Sequence, residues 1–479
     1  MSESTLSPRK TAILQQAEQQ ADRRADWIER HRAYHDDDHR YMRFLVPEGL
    51  RVLDLGCGNG DLLAALKPSR GVGVDLSPRV IELAGQRHPG LEFVVGDVED
   101  DAILAALGGP FDVIVLSDTI GFLDDCEEML RRLHRLCTPE TRVVIGYYSH
   151  LWEPGLKIAE RLGLKQPQPE LNWLSPGDIG ALLSLADFEP VKREWRQLLP
   201  FHLLGLGRLV NRFIAPLPII RQACLRNYVV ARPRPPVPAK PPSVSVVVPC
   251  RNERGNIEDA VKRLPRFCDD IEIIYVEGHS QDGTWDECLR VRDAYPQYDI
   301  KCFQQDGKGK ADAVWKGFDN ARGDILMILD ADLTVRPEDI PKFYRAIASG
   351  KGEFVNGTRM VYPMESDAMQ FLNYLANWTF ARIFSYLLNQ RFTDTLCGTK
   401  VLSRAAYHQV VANRAYFGDF DPFGDFDLIF GAAKLNLKIV EIPVRYASRT
   451  YGSTQISRFV HGWMLIKMVR FAFFKLKAL

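Results

Sequence analysis

Residues 323–339 read "GDILMILDADLTVRPED", an apolar run that ends on Asp330-Ala331-Asp332. Alternation along an extended chain puts both carboxylates on one side, close together. Like charges at that spacing raise each other's pKa unless a cation lies between them. A single Asp would cap a helix starting near Pro337-Glu338, so the doublet points to a metal ion instead. Other polar groups gather where further strands should end. Pro249, Asn252 and Glu253 follow "VSVVVP", and Glu277, Ser280 and Asp282 share the stretch "IIYVEGHSQDGT". Lys308 and Lys310 lie in the glycine loop "QDGKGKADAV". The carboxyl ends of parallel strands are where open α/β sheets bind ligands. The lysine loop lacks the G-x-x-x-x-G-K-S/T spacing of a P-loop, which excludes that motif.

A second set of chemical residues precedes it. "RVLDLGCGNGDLLAAL" reads as strand, glycine turn and amphipathic helix. Gly56, Gly58 and Gly60 permit a sharp turn and a close approach of backbone to ligand. Asp75 closes "GVGVDLS", where a carboxylate can accept from ribose hydroxyls. "VVGDVED", with Asp97 and Val98, and "FDVIVLSDTIGFLDD", with Ser117, continue the series.

These residues need strands to carry them. "RVLDL", "GVGVDL", "LEFVVGD", "FDVIVLSD" and "TRVVIGYY" alternate with helical stretches, as do "VSVVVP", "IEIIYVE", "IKCFQQD" and "ILMILDAD". Both halves therefore read as α/β with a mostly parallel sheet. Residues 231–250, "ARPRPPVPAKPPSVSVVVPC", hold seven prolines and mark a semi-rigid boundary. The expected organisation is residues 1–232, with a helical segment over 1–45, a linker at 233–242, and residues 243–479. The halves share no motif, so the chain is a fusion and not a repeat.

Composition agrees with 479 residues in two or three domains. With 46% hydrophobic and 25% charged residues the chain is of globular type. Sixty-one basic side chains balance 61 acidic ones, so no global field draws it to nucleic acid. Nine cysteines, none in a C-x-x-C pair, read as buried reduced thiols at Cys57, Cys250 and Cys397, and not as zinc ligands. The N-terminus has no apolar core of a signal peptide, and no 18-residue window is free of charge.

The first motif set resembles the class I S-adenosylmethionine-dependent methyltransferases over roughly residues 30–150. The resemblance implies a doubly wound Rossmann-like fold. It implies that Asp54, Gly56, Gly58 and Gly60 approach the methionine part, Asp75 the ribose, and Asp97 with Val98 the adenine. Ser117, Asp118 and Thr119 would stand beside the transferring methyl. Tyr147, His150, Trp152, Asn172 and Trp173 are expected around the methyl acceptor, with His150 the base that a hydroxyl acceptor would need. The apolar stretch 198–225, "LLPFHLLGLGRLVNRFIAPLPIIRQACL", proline-rich and flanked by arginines, reads as ordinary core or as a membrane-facing or lipid-facing edge, with core the expectation.

The order P-x-x-N-E, E-G-x-S-x-D-G-T, G-K-G-K-A, D-A-D resembles the family 2 glycosyltransferases over about 243–460. It implies a GT-A nucleotide-sugar-binding fold in which Pro249, Asn252, Glu253, Glu277, Ser280, Asp282, Lys310 and Asp330 hold the donor. Asp330 and Asp332 would hold Mg²⁺ or Mn²⁺ against the diphosphate of a UDP- or GDP-linked sugar. Glu277 stands where many relatives have Asp, which leaves the base open. "FTDTLCGTKVLSR" and the stretch from "FGDFDLIF" to "RTYGST" resemble the polyprenyl-phosphate branch, which includes dolichyl-phosphate mannose synthase. That branch implies a lipid phosphate acceptor, with Arg449 and Gly452 in its R-x-x-G motif, although the lysine that usually follows is missing. Asp425 and Asp427 stand where hydroxyl-using relatives keep a base, so a saccharide acceptor with Asp425 as base is the alternative. In that alternative the first half is a binding or scaffold module. "AMQFLNYLANWTFARIFSYLLN" (368–389) reads equally as a membrane-surface helix or a core helix. In the tail, Lys467, Arg470 and Lys477 fall within an arc of about 80° beside an aromatic face, as in a helix lying on an anionic membrane. The expectation is a bifunctional enzyme peripheral to the cytoplasmic membrane face.

Overall fold

The computed structural model describes residues 6–166, 168–201, 203–236, 238–362, 371–418, 426–447, 449, 451 and 458–479. The chain divides into two compact units, Met1–Pro235 with Lys477–Leu479, and Pro236–Leu476.

The first unit is a seven-stranded sheet. Its strands are β1 (Arg51–Leu55), β2 (Arg70–Asp75), β3 (Glu92–Val95), β4 (Phe111–Ser117), β5 (Cys137–Tyr148), β6 (Phe188–Arg196) and β7 (Arg226–Pro233). The spatial order is β3-β2-β1-β4-β5-β7-β6. Strands β1 to β5 pair in parallel, and β7 runs antiparallel between β5 and β6. Continuous apolar runs such as Val113–Leu116 and Val143–Ile145 suit strands covered on both faces. Two helices precede the sheet, α1 (Pro8–Arg30) and α2 (Arg32–Leu45). Ser7 caps α1 through its hydroxyl, which accepts from the Lys10 amide, and Pro8 sits at the first helical position. On α2, Asp38, Tyr41, Met42 and Leu45 are buried at helical spacing.

The second unit is also a seven-stranded sheet. Its strands are β8 (Val244–Cys250), β9 (Ile271–Glu277), β10 (Asp299–Gln304), β11 (Ile325–Ile328), β12 (Phe354–Thr358), β13 (Lys400–Ser403) and β14 (Ile439–Pro443), in the order β10-β9-β8-β11-β13-β12-β14. Only β13 runs against its neighbours. In both units the order reverses beside the first strand, the crevice where such sheets take ligands. The α/β, doubly wound reading of both halves is thus what the chain adopts.

Two expectations change, and one of two open readings is narrowed. The stretch at 198–225 is not core, because Phe201, Leu204, Leu206, Leu209, Leu217 and Ile219 are exposed. Lys477 does not join a basic helix face; it is buried, with its ammonium 2.6 Å from Glu194. The helix Phe371–Leu388 buries Ala381, Phe384 and Leu387 but presents Tyr374, Leu375 and Trp378 to solvent, so it is not an all-round core helix. No helix among the described residues is long and apolar enough to cross a membrane.

A buried ion pair braces the second sheet. The Arg359 guanidinium donates to both oxygens of Asp394, at 2.6 and 2.9 Å, and Asn377 donates to the same carboxylate at 3.0 Å. Although burial opposes the charge, Arg359 holds the Asp394 pKa down to about 2. Its folded value lies below the ordinary one, so its contribution is complete above about pH 4 and is lost as pH falls toward 2. Asp394→Asn leaves a buried guanidinium uncompensated. It should lower the stability of this unit by about 3–5 kcal/mol, read from its transition in urea at neutral pH, with the deficit shrinking in acid.

Candidate active sites

In the second unit the candidate residues converge at the carboxyl ends of β8, β9 and β11. β11 ends at Ile328, and the Leu333 amide closes a tight turn onto the Asp330 carbonyl at 3.1 Å. Asp330 and Asp332 therefore leave a turn, not an extended strand, and they take different partners. The Lys310 ammonium lies 2.6 Å from Asp330 Oδ1. Arg449 Nη2 donates to Asp332 Oδ2 at 2.6 Å, and its Nη1 lies 3.6 Å from Glu253 Oε1. Burial would raise the Asp330 pKa, but Lys310, with Lys400 and Arg359 behind it, holds it below the usual carboxylate range. The cation demanded by the doublet is supplied here twice by the chain's own side chains.

The surrounding loops are locked to one another. Asn252 adopts φ +55°, its amide donates to Ser280 Oγ at 2.9 Å, and its side-chain oxygen accepts from the Gln281 amide at 3.0 Å. Glu277 is buried and accepts from the Ser280 amide. Asp282 accepts from the Thr284 and Arg254 amides, at 3.1 and 3.3 Å. Glu253 is buried, and its pKa is raised by burial despite a 2.7 Å hydrogen bond from Asn256 and the nearby Arg449. Pro249 is a β8 residue paired with Val276 of β9, next to this loop. Gly398 touches the doublet: a Cβ there would stand 1.8 Å from Asp330 Oδ2. This glycine, in "FTDTLCGTK", is a site residue that sequence reasoning passed over. Asp427 is instead held by Arg414 Nε at 2.9 Å, and Asp425 and Gly452 lie outside the described residues.

No cluster of three or more His, Cys, Asp or Glu side chains ready to hold a metal occurs among the described residues. The donor set nevertheless suits a hard divalent ion. Two part-exposed carboxylates at a strand end, each shared with a flexible basic side chain, can exchange that partner for an ion that brings its own waters and phosphates.

In the first unit the glycine turn has the required conformation. Gly56, Gly58 and Gly60 have φ of +78°, +53° and +73°. A Cβ on Gly56 would meet Thr119 Oγ1 at 2.3 Å, and one on Gly60 would meet Phe93 at 2.6 Å. Asp75 accepts from the Gly58 and Ser77 amides at 3.0 and 3.1 Å. Asp97, followed by buried Val98, carries Lys10 of α1, and Glu18 of α1 accepts from the Ser77 hydroxyl. Asp54 is buried at the end of β1, with Oδ1 lacking a partner among the described residues, as does Asn59 Oδ1. Burial, then Asp75 and Asp38, push its pKa up to about 7. A buried carboxylate without a counter-ion beside a glycine cradle fits the ammonium end of an amino-acid cofactor.

Beside this cradle lies a polar cluster that the motifs did not reveal. Arg226, at the start of β7, is 1% exposed. It pairs with Asp118 at 2.8 Å and Asp38 at 3.0 Å, and donates to Ser117 Oγ at 3.1 Å and to the Tyr34 hydroxyl. Tyr34 stacks on Tyr148, with ring centroids 6.4 Å apart. His35 meets Tyr34 edge-on at 5.0 Å. Burial, then His39, hold its pKa down to about 4, so the imidazole is neutral at physiological pH. His150 is exposed, and Tyr147 and Asn172 are tied up in packing: the Tyr147 hydroxyl donates to the Asn172 carbonyl at 2.7 Å. Trp152 donates to the Ala223 carbonyl at 2.8 Å. His35, and not His150, is the histidine that packs against this cluster. The signal was available in "HDDDH" (35–39), five titratable residues in succession on a helix.

The comparisons with known proteins agree with this division. Residues 20–193 match the "Methyltransferase domain" family model and residues 245–413 match "Glycosyl transferase family 2". A dolichol-phosphate mannosyltransferase of Pyrococcus furiosus is 37% identical over 120 residues, covering 25% of this chain and 33% of that protein. The low-salt glycan biosynthesis hexosyltransferase Agl6 of Haloferax volcanii is 25% identical over 229 residues, covering 48% and 53%. The chain thus spans between a third and about half of these relatives. A solved S-adenosylmethionine-dependent methyltransferase of Thermotoga maritima is similar at 19% identity with a TM-score of 0.37, covering 46% of this chain and 99% of that one.

Two outcomes follow from the geometry. A cationic amino-acid cofactor should bind better as Asp54 ionises. S-Adenosylmethionine affinity, measured by calorimetry, should therefore rise several-fold from pH 6 to pH 8 and lose that pH dependence in Asp54→Asn. Gly398→Ala should displace the Asp330 carboxylate and lower glycosyl transfer about tenfold or more, while thermal unfolding shows the fold retained.

Proposed function

Because the chain joins a methyltransferase domain to a family 2 glycosyltransferase domain, we propose that it is a bifunctional transferase acting on one lipid-linked glycan. The second unit takes a sugar from a UDP- or GDP-linked donor and passes it to polyprenyl phosphate or a related lipid. The observation that carries this reading is the carboxylate pair bracketed by Lys310 and Arg449. Asn252, Glu253, Glu277, Ser280 and Asp282 hold the base and ribose. Asp330 and Asp332 would hold Mg²⁺ or Mn²⁺, an ion whose charge would offset that of a departing diphosphate. Lys310 steadies the phosphates, and Arg449, released from Asp332, holds the acceptor's phosphate oxygens through paired donors. A lipid phosphate is already an anion and needs no base, and the pairing of Asp427 with Arg414 fits that economy.

A membrane surface is the natural place for such an acceptor. On the C-terminal helix, Trp463, Ile466, Lys467, Arg470 and Phe474 recur on one exposed face. Apolar and basic side chains on a single face suit the interface of an anionic bilayer. We accordingly assign the protein to the cytoplasmic face of a membrane, peripherally bound.

The first unit transfers methyl from S-adenosylmethionine to a hydroxyl of the same glycan. The cofactor supplies an electrophilic methyl group when bound in the cradle. Asp75 would orient the ribose, Asp54 would receive the ammonium, and His35 would take the acceptor hydroxyl's proton, the spent cofactor leaving as its thioether. Incubation of the full chain with polyprenyl phosphate vesicles, nucleotide sugars, Mn²⁺ and isotopically labelled S-adenosylmethionine should yield a lipid-linked sugar carrying the label by mass spectrometry. Chelation or Asp332→Asn should abolish sugar transfer, and Asp425→Asn should leave it near normal. Transfer that survives chelation, or collapses in Asp425→Asn, would move the acceptor reading to a hydroxyl.

A further inference from the structure

The apolar stretch before β7 is the largest feature of the first unit that neither cradle nor core explains. Leu204, Leu206, Leu209, Phe213 and Ile219 are all exposed, Leu204 fully and Ile219 by 87%. Leu204 also adopts φ +54°, immediately before Gly205 at φ +91°. A left-handed backbone is strained for a leucine, and burial against the rest of the unit does not offset it. A soluble protein rarely leaves so many large apolar side chains contiguous in water without a partner for them.

A second exposed apolar run lies beside the first. Strand β5 ends at Tyr148, which stands opposite Arg226 at the start of β7. The segment leaving β5 carries Leu151, Ile158, Leu162 and Leu164, all more than half exposed. The segment entering β7 carries the leucines above. The two are stitched together by the Ser149 amide on the Leu225 carbonyl at 2.7 Å and by Trp152 on the Ala223 carbonyl. Lys165, on the first segment, lies over the Tyr148 ring at 5.8 Å. Both runs thus rise from the Tyr34–Tyr148–Arg226 cluster, the place of the methyl acceptor.

Charge distinguishes the occupant. Between Glu194 and Glu253 the sequence contains no Asp or Glu, while exposed Arg208 and part-buried Arg212 and Arg221 punctuate the apolar run. On the neighbouring segment Glu153 and Glu160 are neutralised by Lys157 and Lys165, at 2.6 and 2.5 Å. An apolar rim with arginines and no uncompensated acid matches the headgroup region of an anionic bilayer. We infer that the segments 151–164 and 203–222 dock the methyltransferase unit on an anionic lipid surface, so that the acceptor reaches the Tyr34–Tyr148–Arg226 cluster from the membrane. This rests on methyl transfer to a lipid-linked hydroxyl and adds where that hydroxyl comes from.

The test is hydrogen–deuterium exchange of the full chain, alone and with vesicles of phosphatidylcholine or of phosphatidylcholine mixed with phosphatidylglycerol. Segments 151–164 and 203–222 should exchange several-fold more slowly with the anionic vesicles only. The triple variant Leu206→Asp, Leu209→Asp, Phe213→Asp should lose that protection and weaken vesicle binding by about tenfold or more, with S-adenosylmethionine affinity unchanged as proof of folding. Trp463→Asp, on the C-terminal helix, should leave protection of 203–222 in place. Unchanged exchange in both segments would overturn the inference, as would protection that grows with protein concentration and ignores lipid, the mark of a second copy. Protection without methylation of any lipid-linked product would instead sink the acceptor reading and leave the docking intact. Methylation with 203–222 unprotected would do the reverse.

Discussion

A carboxylate at the end of a buried strand needs a counter-charge, and both candidate sites are organised by that need. The parallel sheet delivers acidic side chains to strand ends, where backbone amides meet some of them, such as Asp75 and Asp282, and others take a cation. In the second unit Lys310 and Arg449 meet the demand, and Asp330 remains ionised. In the first unit Arg226 meets it for Asp118 and Asp38, while Asp54 goes without and is pushed toward protonation. Asp54 Oδ1 has no hydrogen-bond partner among the described residues and lies beside the glycine cradle, a place that suits a positive ligand.

The same logic separates the two chemistries. Phosphates and a divalent ion come and go as a charged set, so the side chains that hold their place must be able to let go. Lys310 and Arg449 are long, part-exposed and flexible, and each grips a carboxylate that it can release. The Arg226 cluster of the first unit is built the other way. Arg226 is almost wholly enclosed and bound on several sides by Asp38, Asp118, Ser117 and Tyr34, which makes a rigid wall. Rigid walls suit a reaction in which a neutral oxygen must align with a carbon–sulfur bond.

Much of the fold was legible because it rests on local patterns. Apolar runs bounded by glycine and aspartate identified the strands, and the proline-rich stretch marked a change of unit. That Asn252, Glu253, Glu277, Ser280 and Asp282 gather in one place was legible for the same reason, since they occupy short loops next to their strands. What escaped were residues brought in from afar. Arg226 enters from the antiparallel β7, His35 and Asp38 from a helix that precedes the sheet, and Gly398 from a loop after a long excursion. Nothing in their immediate neighbours announces the partner. Reading Asp330 and Asp332 as an extended pair failed for a related reason. The backbone turns at Ala331, and each acid then follows its own distant cation.

The apolar run at 198–225 shows where composition misleads. A sequence of leucines, isoleucines and prolines reads as interior, because hydrophobic burial is the commonest fate of such residues. It is a one-way rule. The sheet of this unit already buries its two faces with β-strand residues and flanking helices, so the extra stretch finds no core left to fill. A chain that carries more apolar surface than its own core can hold must place the surplus against something else. Arginines among those leucines, with no acid for nearly sixty residues, indicate that the something is both apolar and anionic. A bilayer meets both conditions at once, and it is also where the lipid-linked product of the second unit would lie.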